Sequence, residues 1–219
     1  MKRIAILLLL VLTTGFVASA QYNDSKYHPF GPDEISLSYG RASIPGTAYV
    51  LGGVFGTVFT LGAATPGKIA STGAVGFEYM HHFGKHFALG ALATYENIVL
   101  RFDYATGETD ADGKKILREG PTGFNHFISL MPALKFPWFS REHVSMYTKL
   151  GVGAMFNVTN EYTYNEDTSA WDRNTDTNWN WAVQASLVGV DFGGDICRGF
   201  VEGGFGMQGL VCAGVRFGF

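Results

Sequence analysis

The last eleven residues, 209–219, alternate between two kinds of side chain. On a β-strand, successive side chains point to opposite faces. One face would carry only apolar groups and the other only small or charged groups; these are Val211, Ala213, Val215, Phe217 and Phe219 against Cys212, Gly214, Arg216 and Gly218. The pattern predicts a strand with a continuous apolar face. That face suits hydrocarbon, and the alternative is the last strand of a soluble β-domain that packs it inward.

Seven earlier segments show related alternation. We predict strands at residues 34–41, 72–82, 87–104, 125–136, 146–156, 181–192 and 198–206. The faces of 181–192 are not assigned, because its alternation is mixed. Short turns at 83–85, 137–143 and 193–195 separate pairs of strands at one end. At the other end we predict three long connections and a very tight one at 207–208. Eight strands of this kind predict an antiparallel up-and-down transmembrane β-barrel.

Three residues of the last strand carry a family resemblance. Gly214, Phe217 and Phe219 resemble the C-terminal insertion signal of bacterial outer-membrane β-barrels, which their assembly machinery reads. The whole chain is similar to the small OmpA/OmpX-like barrels of the Bacteroidota. The resemblance implies a monomer that contacts outer-membrane lipid and lipopolysaccharide, inserted by the barrel assembly machinery.

The first twenty residues predict an export signal. Lys2 and Arg3 precede an apolar run at 4–12, and small residues at 18–20 provide a cleavage site. We therefore expect a signal peptide at 1–20, a barrel domain at 21–219, and a location in the outer membrane of a Gram-negative bacterium. No later run reaches the roughly 18 apolar residues that a membrane helix needs.

Residues 49–62 fit both a short apolar helix and an alternating strand. A strand here would give nine strands, whereas bacterial single-chain barrels have even numbers. We therefore predict a short helix in the first extracellular loop, with its apolar side on the barrel rim or outer leaflet.

The charge balance of the chain excludes one class of partner. Removal of Lys2 and Arg3 from the 16 basic residues leaves 14 against 19 acidic ones, without a basic cluster, so nucleic acid is not an expected partner.

Aromatic residues are frequent, and Trp138, Phe139 and Trp181 are predicted to lie at the membrane interface. Cys197 and Cys212 fall too far apart in the predicted register for a disulfide, so we expect two packed free thiols.

The inward faces of the predicted strands contain charged residues of both signs. An eight-stranded barrel is just wide enough for side chains to fill it. We therefore expect a lumen charge network of Glu34, Glu78, Glu96, Lys135, Lys149, Glu202 and Arg216. A proton path or narrow pore is the alternative use of these residues.

Histidines raise the possibility of catalysis or metal binding. His126 could serve Ser129 as a base in a lipid A-modifying enzyme, but the two fall on opposite faces of a strand. His81, His82 and His86 cannot all share a face, and residues 108–119 match a calcium loop only superficially. We expect no catalytic residue, cofactor or metal.

The connection predicted at 157–180 is polar and rich in aromatic side chains. Tyr162, Tyr164, Trp171 and Trp179 are the candidates for contact with a sugar or a protein, although a loop that binds nothing would have the same composition. The sequence thus favours a structural or loop-mediated interaction role at the cell surface. The alternatives are a lipid A-modifying enzyme and a small porin or ligand carrier.

Overall fold

The computed structural model describes residues 31–59, 65–109, 115–165 and 170–219. The predicted signal peptide and the turn expected at 112–113 lie outside these ranges. The strands are β1 (Asp33–Arg41), β2 (Thr65–Ser71), β3 (Ala74–His82), β4 (Ala88–Thr109), β5 (Lys115–Ser140), β6 (Val144–Asn165), β7 (Ala170–Gly193), β8 (Cys197–Gly206) and β9 (Val211–Gly218). A single described helix, α1 (Ile44–Phe59), lies between β1 and β2.

The strands close into a ring. Each strand from β3 to β9 pairs antiparallel with the next, and β9 returns to pair with β1, which also pairs with β3. The seam between β1 and β9 runs from Glu34 opposite Gly218 to Arg41 opposite Val211. Asp33 and Phe219 complete it by exchanging backbone hydrogen bonds of 3.2 and 2.9 Å. The predicted closing role of the last strand is therefore confirmed.

Nine strand segments make a ring of eight because β2 and β3 are two parts of one strand. Both pair with β4, with Ser71 opposite Ile98 and Val75 opposite Tyr95. One extra residue is accommodated between them at Gly73, whose φ of 82° a glycine adopts without strain. The fold is thus the predicted eight-stranded antiparallel barrel.

The polarity of the wall is the reverse of that in a soluble protein. Large apolar side chains point away from the lumen and are exposed, for example Leu37 at 54% and Leu130 at 57%. Charged side chains point into the lumen and are buried, including Arg216 and Lys149 at 0%. Strands with this polarity belong to a barrel surrounded by lipid rather than water.

A β-bulge in β7 explains why its faces could not be assigned from sequence. Leu187 and Val188 together oppose one residue of each neighbouring strand, and both are exposed. Before the bulge the even-numbered Ser186 points inward, and after it the odd-numbered Asp191 does. The extra residue moves the inward positions from even to odd numbers.

The wall is high on one side and low on the other. Strands β4, β5, β6 and β7 have 22 to 26 residues each, whereas β1, β8 and β9 have eight to ten. The polar loop predicted at 157–180 is wrong, because β6 continues to Asn165 and pairs with β7 from Ala170 onward. A projecting two-stranded ribbon can be polar on both faces because both are solvated, so it lacks the apolar alternation of a membrane strand.

Helix α1 confirms the helical interpretation of the first long connection, although it begins at Ile44, five residues before the predicted start. Ser43 is its N-cap: the Gly46 amide donates to Ser43 Oγ at 3.0 Å, and the Thr47 amide to the Ser43 carbonyl at 2.9 Å. Within the described ranges, no helix combines the length and apolar character that a membrane span would need.

The two cysteines are both free, as expected. Cys212 is buried in the lumen, opposite Glu202 in the register. The prediction of a packed thiol is wrong for Cys197, which is exposed where β8 begins, at the edge of a short turn.

Candidate functional site

Arg216 of β9 lies at the centre of a buried ion cluster in the lumen. Its guanidinium pairs with Asp191 and donates to Glu78 Oε1 at 3.2 Å. Its Nε lies 3.4 Å from Glu34 Oε1, an ion-pair contact without hydrogen-bond geometry. The guanidinium also lies 4.5 Å from the Phe200 ring centroid. Five donors in a planar fork allow one arginine to serve carboxylates on several strands.

Lys149 of β6 forms the second cationic point of the cluster. Its ammonium donates to Glu78 Oε2 at 2.6 Å and to Glu202 Oε1 at 2.8 Å. Glu202 also accepts from Tyr147 and Ser186. Each carboxylate therefore has several charge-assisted partners, as a buried charge requires.

Lys135 of β5 extends the cluster toward the end where both termini of the barrel lie. Its ammonium donates to Glu34 Oε1 at 2.8 Å and lies 3.5 Å from Asp191 Oδ2. It also lies 4.3 Å from the centroid of the Tyr147 ring. Tyr147 thus packs between Lys135 and Arg216, and its hydroxyl is 3.2 Å from the guanidinium.

Two further groups flank the cluster at the same end of the barrel. His82 Nε2 lies 3.1 Å from Glu34 Oε2. Arg198, inward on β8 and opposite Arg216, donates to the carbonyl oxygens of Gly194 and Glu142 at 2.9 and 3.2 Å. In the part of the chain with described side chains, four carboxylates and three cations form the cluster, with His82 and Arg198 at its edge.

An apolar cluster occupies the lumen alongside these charges. Its members come from β3, β4, β5, β7 and the turn after β8: Met80, Ala88, Leu92, Met131, Ala133, Ala182 and Met207. Gln208 from the same turn reaches inward, donating to Ser38 Oγ at 3.0 Å. Both kinds of packing leave an eight-stranded barrel filled rather than open.

Glu96 holds the N-terminus of α1 over the other end of the lumen. Its carboxylate accepts hydrogen bonds from the hydroxyls of Ser43 and Ser71. Those hydroxyls accept in turn from the amides of Gly46 and Gly73 at 3.0 and 2.9 Å. The negative charge is thus placed at the N-terminus of a helix, where the helix dipole stabilises it.

The sequence-predicted lumen network has seven members, and the structure brings six of them together. Glu96 is not in the cluster, because it lies near the outer end and faces α1. Sequence reasoning missed Asp191, which contacts both Lys135 and Arg216. The bulge at Leu187 hid its inward orientation, so no simple alternation could have found it.

Comparison with known proteins gives one kind of match. No protein-family model and no curated protein matches the sequence. Two crystal structures of Ail, the attachment invasion locus protein of Yersinia pestis, are similar, one of them in complex with the heparin analogue sucrose octasulfate. The complex is 12% identical with a TM-score of 0.33, covering 84% of this chain and 94% of that chain. The other is 11% identical with a TM-score of 0.34, covering 84% and 91%.

The predicted interfacial aromatics differ in their surroundings. Trp181 is 73% exposed and lies edge-on to Trp179, with ring centroids 6.1 Å apart. Trp138 and Phe139 are half-buried near the end of β5. Phe139 also has a guanidinium, that of Arg141, 6.0 Å from its ring.

The four contact candidates do not form a loop surface. Trp179 lies on β7 beside Trp181 and opposite Phe156, on the outer face of the barrel. Tyr162 is half-buried on β6. Tyr164 and Trp171 pair in the backbone register of the ribbon, but their side chains lie outside the described part of the structure.

The histidine and serine proposed for an enzyme remain apart. His126 points outward and lies 3.0 Å from the Tyr95 hydroxyl, while Ser129 points inward and shares a 2.6 Å hydrogen bond with Thr94. His81 instead contacts Asp33 at 2.8 Å. Of the described His, Cys, Asp and Glu residues, no three form a group that could hold a metal ion.

The three residues that resemble an insertion signal lie on both faces of β9. Phe217 and Phe219 are exposed on the outer face. Gly214 faces the Phe200 ring, where a Cβ would lie 2.8 Å from two ring carbons. Glycine at this position therefore allows Phe200 to stack on Arg216.

Proposed function

We propose that this protein is an integral outer-membrane barrel of a Gram-negative bacterium, with a packed lumen and a structural or interaction role at the cell surface. The observation that carries the proposal is the combination of an apolar exterior with a lumen filled by paired charges. We also propose that a signal peptide directs export, that the barrel assembly machinery inserts the chain, and that it functions as a monomer among lipid and lipopolysaccharide.

The height of the exterior supports a membrane location. Trp181 lies twelve residues before Gly193, at the short-turn end of β7. At about 3.3 Å per residue and a tilt of about 40°, this corresponds to roughly 30 Å along the barrel axis. A tryptophan at that height lies just beyond an apolar band of about 25 Å, as interfacial aromatics do.

The projecting ribbon of β6 and β7 supports an interaction role. Strand β8 pairs with β7 only as far as Gln184, whereas β7 begins at Ala170. Among the described residues, no strand pairs with the other edge of β7 between 170 and 182, and at 183 the Val183 carbonyl accepts from the Met207 amide at 3.0 Å. Unpaired strand edges can accept an extended segment of another protein through backbone hydrogen bonds. We propose this edge as the interaction surface.

The membrane location and orientation can be tested by cysteine labelling. Both thiols are introduced in a C197S background. Asn174→Cys places a thiol on β7 in the projecting ribbon, and Asp195→Cys places one in the turn before β8. Both positions are exposed. A membrane-impermeant maleimide should label only Asn174→Cys on intact cells and both variants after lysis. Equal labelling of both on intact cells, or recovery of the protein in a soluble fraction, would contradict the proposal.

The packed lumen predicts the absence of conductance. The purified barrel, refolded into a planar bilayer, should give no discrete single-channel currents, because paired charges and apolar side chains fill its interior. Refolding is verified by the different electrophoretic mobility of heated and unheated samples. Reproducible unitary currents from the refolded band would favour the small porin instead.

A further inference from the structure

Helix α1 has two different faces. One face contacts the inner side of the long strands β4 and β5. At this face a Cβ on Gly46 would lie 2.8 Å from Glu96 Oε1 of β4, and the Tyr49 ring lies edge-on to Phe127 of β5, with ring centroids 5.8 Å apart. The opposite face exposes Ile44 at 43% and Leu51 at 51%, and Val50, at the flank near Gly46, is exposed at 50%. The exposed face is therefore directed away from β4 and β5, which lie across the ring from the short strands β8 and β9.

The wall on that low side is short for a membrane. β1 has nine residues, β8 ten and β9 eight. At about 3.3 Å per residue and a tilt of about 40°, these strands rise roughly 18–23 Å along the axis, against an apolar band of about 25 Å. The outer edge of the hydrocarbon therefore lies above the ends of these strands, at the level of the segments that connect them. Helix α1 begins in one such segment, three residues after β1 ends.

Residues 41–43, between the body of β1 and α1, include no acidic group, and the exposed Arg41 lies over the Tyr39 ring and donates to the Ser71 carbonyl at 3.2 Å. Leu210 and Val211 are exposed at the outer end of β9, and Leu210 bonds to the Arg41 carbonyl at 2.9 Å. Helix α1 itself contains no acidic or basic residue in its 16 positions. Exposure of an apolar helical face to water is unfavourable.

We propose that the exposed face of α1 binds the acyl chains of the outer leaflet, so that the helix completes the low side of the membrane-facing surface. The proposal rests on the membrane location proposed above. Lipid is the occupant that the structure favours, because the apolar exterior of the low side reaches Leu210 and Val211, beside the residues that lead into α1.

The test is depth-dependent quenching of a fluorophore by brominated lipid. A polarity-sensitive label is attached to Leu51→Cys or, as a second site, to Ile44→Cys, each in a C197S background. The labelled barrels are refolded into vesicles with and without brominated acyl chains. Leu37→Cys, on the exterior of β1, reports the barrel in the membrane, and Asn174→Cys reports the aqueous ribbon. Refolding of each variant is checked by its heat-dependent mobility.

We expect both helix positions to lose fluorescence to brominated lipid as Leu37→Cys does, with blue-shifted emission, while Asn174→Cys is unaffected. Quenching at Leu37→Cys but at neither helix position would overturn the inference alone, and would mean that water, a protein partner or a second copy covers α1. No quenching at Leu37→Cys would overturn the membrane location and the inference together.

Discussion

Replacement of Arg216 by methionine should lower the free energy of unfolding by about 3–5 kcal/mol, the cost of breaking a buried ion pair from one side. Methionine keeps much of the side-chain volume but removes the charge from a fully buried position. Asp191 would keep Lys135 and Ser145, and Glu78 would keep Lys149. The four carboxylates would then face two lysines, and their mutual repulsion would be poorly compensated.

The measurement is the urea midpoint of the refolded barrel in detergent, followed by heat-dependent mobility. The matched control is Arg41→Met, because Arg41 is exposed and its contacts with described residues are a hydrogen bond to the Ser71 carbonyl and a position over the Tyr39 ring. An exposed contact of this kind is worth about 0–1 kcal/mol. Equal midpoints for the two variants would show that the lumen cluster does not stabilise the barrel.

A second substitution separates charge from packing in the same experiment. The double variant adds Asp191→Asn to Arg216→Met. It neutralises a carboxylate that has already lost its ion pair with Arg216. If electrostatics dominate, the double variant should be more stable than Arg216→Met alone, because neutralising both partners costs less than removing one. Further destabilisation would instead indicate that the shape of the cluster matters more than its charge.

The strand faces were predictable because membrane strands follow a simple physical rule. Hydrocarbon outside and a packed interior impose a period of two on both faces, so Leu37 and Val215 could be placed outward, and Glu34 and Arg216 inward, from parity alone. Pairing of opposite charges followed from the width of an eight-stranded barrel. These inferences need only local sequence and a count of strands.

Residues that depend on irregular geometry were not predictable in this way. Asp191 points inward only because one extra residue is inserted near Leu187. The role of Glu96 depends on where α1 begins, and Ser43 does not reveal from sequence alone which carboxylate its hydroxyl will meet. The ribbon strands lack a buried face, so burial leaves no alternating pattern in them.

A valine at position 189 should destabilise the barrel by at least about 1–3 kcal/mol, the usual cost of overpacking. Gly189 lies opposite Tyr147 in the register of β6 and β7, and a Cβ on it would overlap the Tyr147 ring. Movement of that ring would also break its hydroxyl contacts with Glu202 and Arg216. The effect should therefore exceed simple overpacking, because ion-cluster contacts are lost as well.

Gly203→Val on the neighbouring β8 is the matched control. A Cβ on Gly203 would meet no atom within 4 Å, since the position faces outward. It introduces the same side chain, which strands and lipid both accept, so its urea midpoint should stay at or above that of the native barrel. A Gly189→Val barrel as stable as Gly203→Val would mean that Tyr147 is not confined between the cations. Combining Gly189→Val with Tyr147→Leu, which shortens the clashing side chain, should recover part of the loss only if the ring causes it.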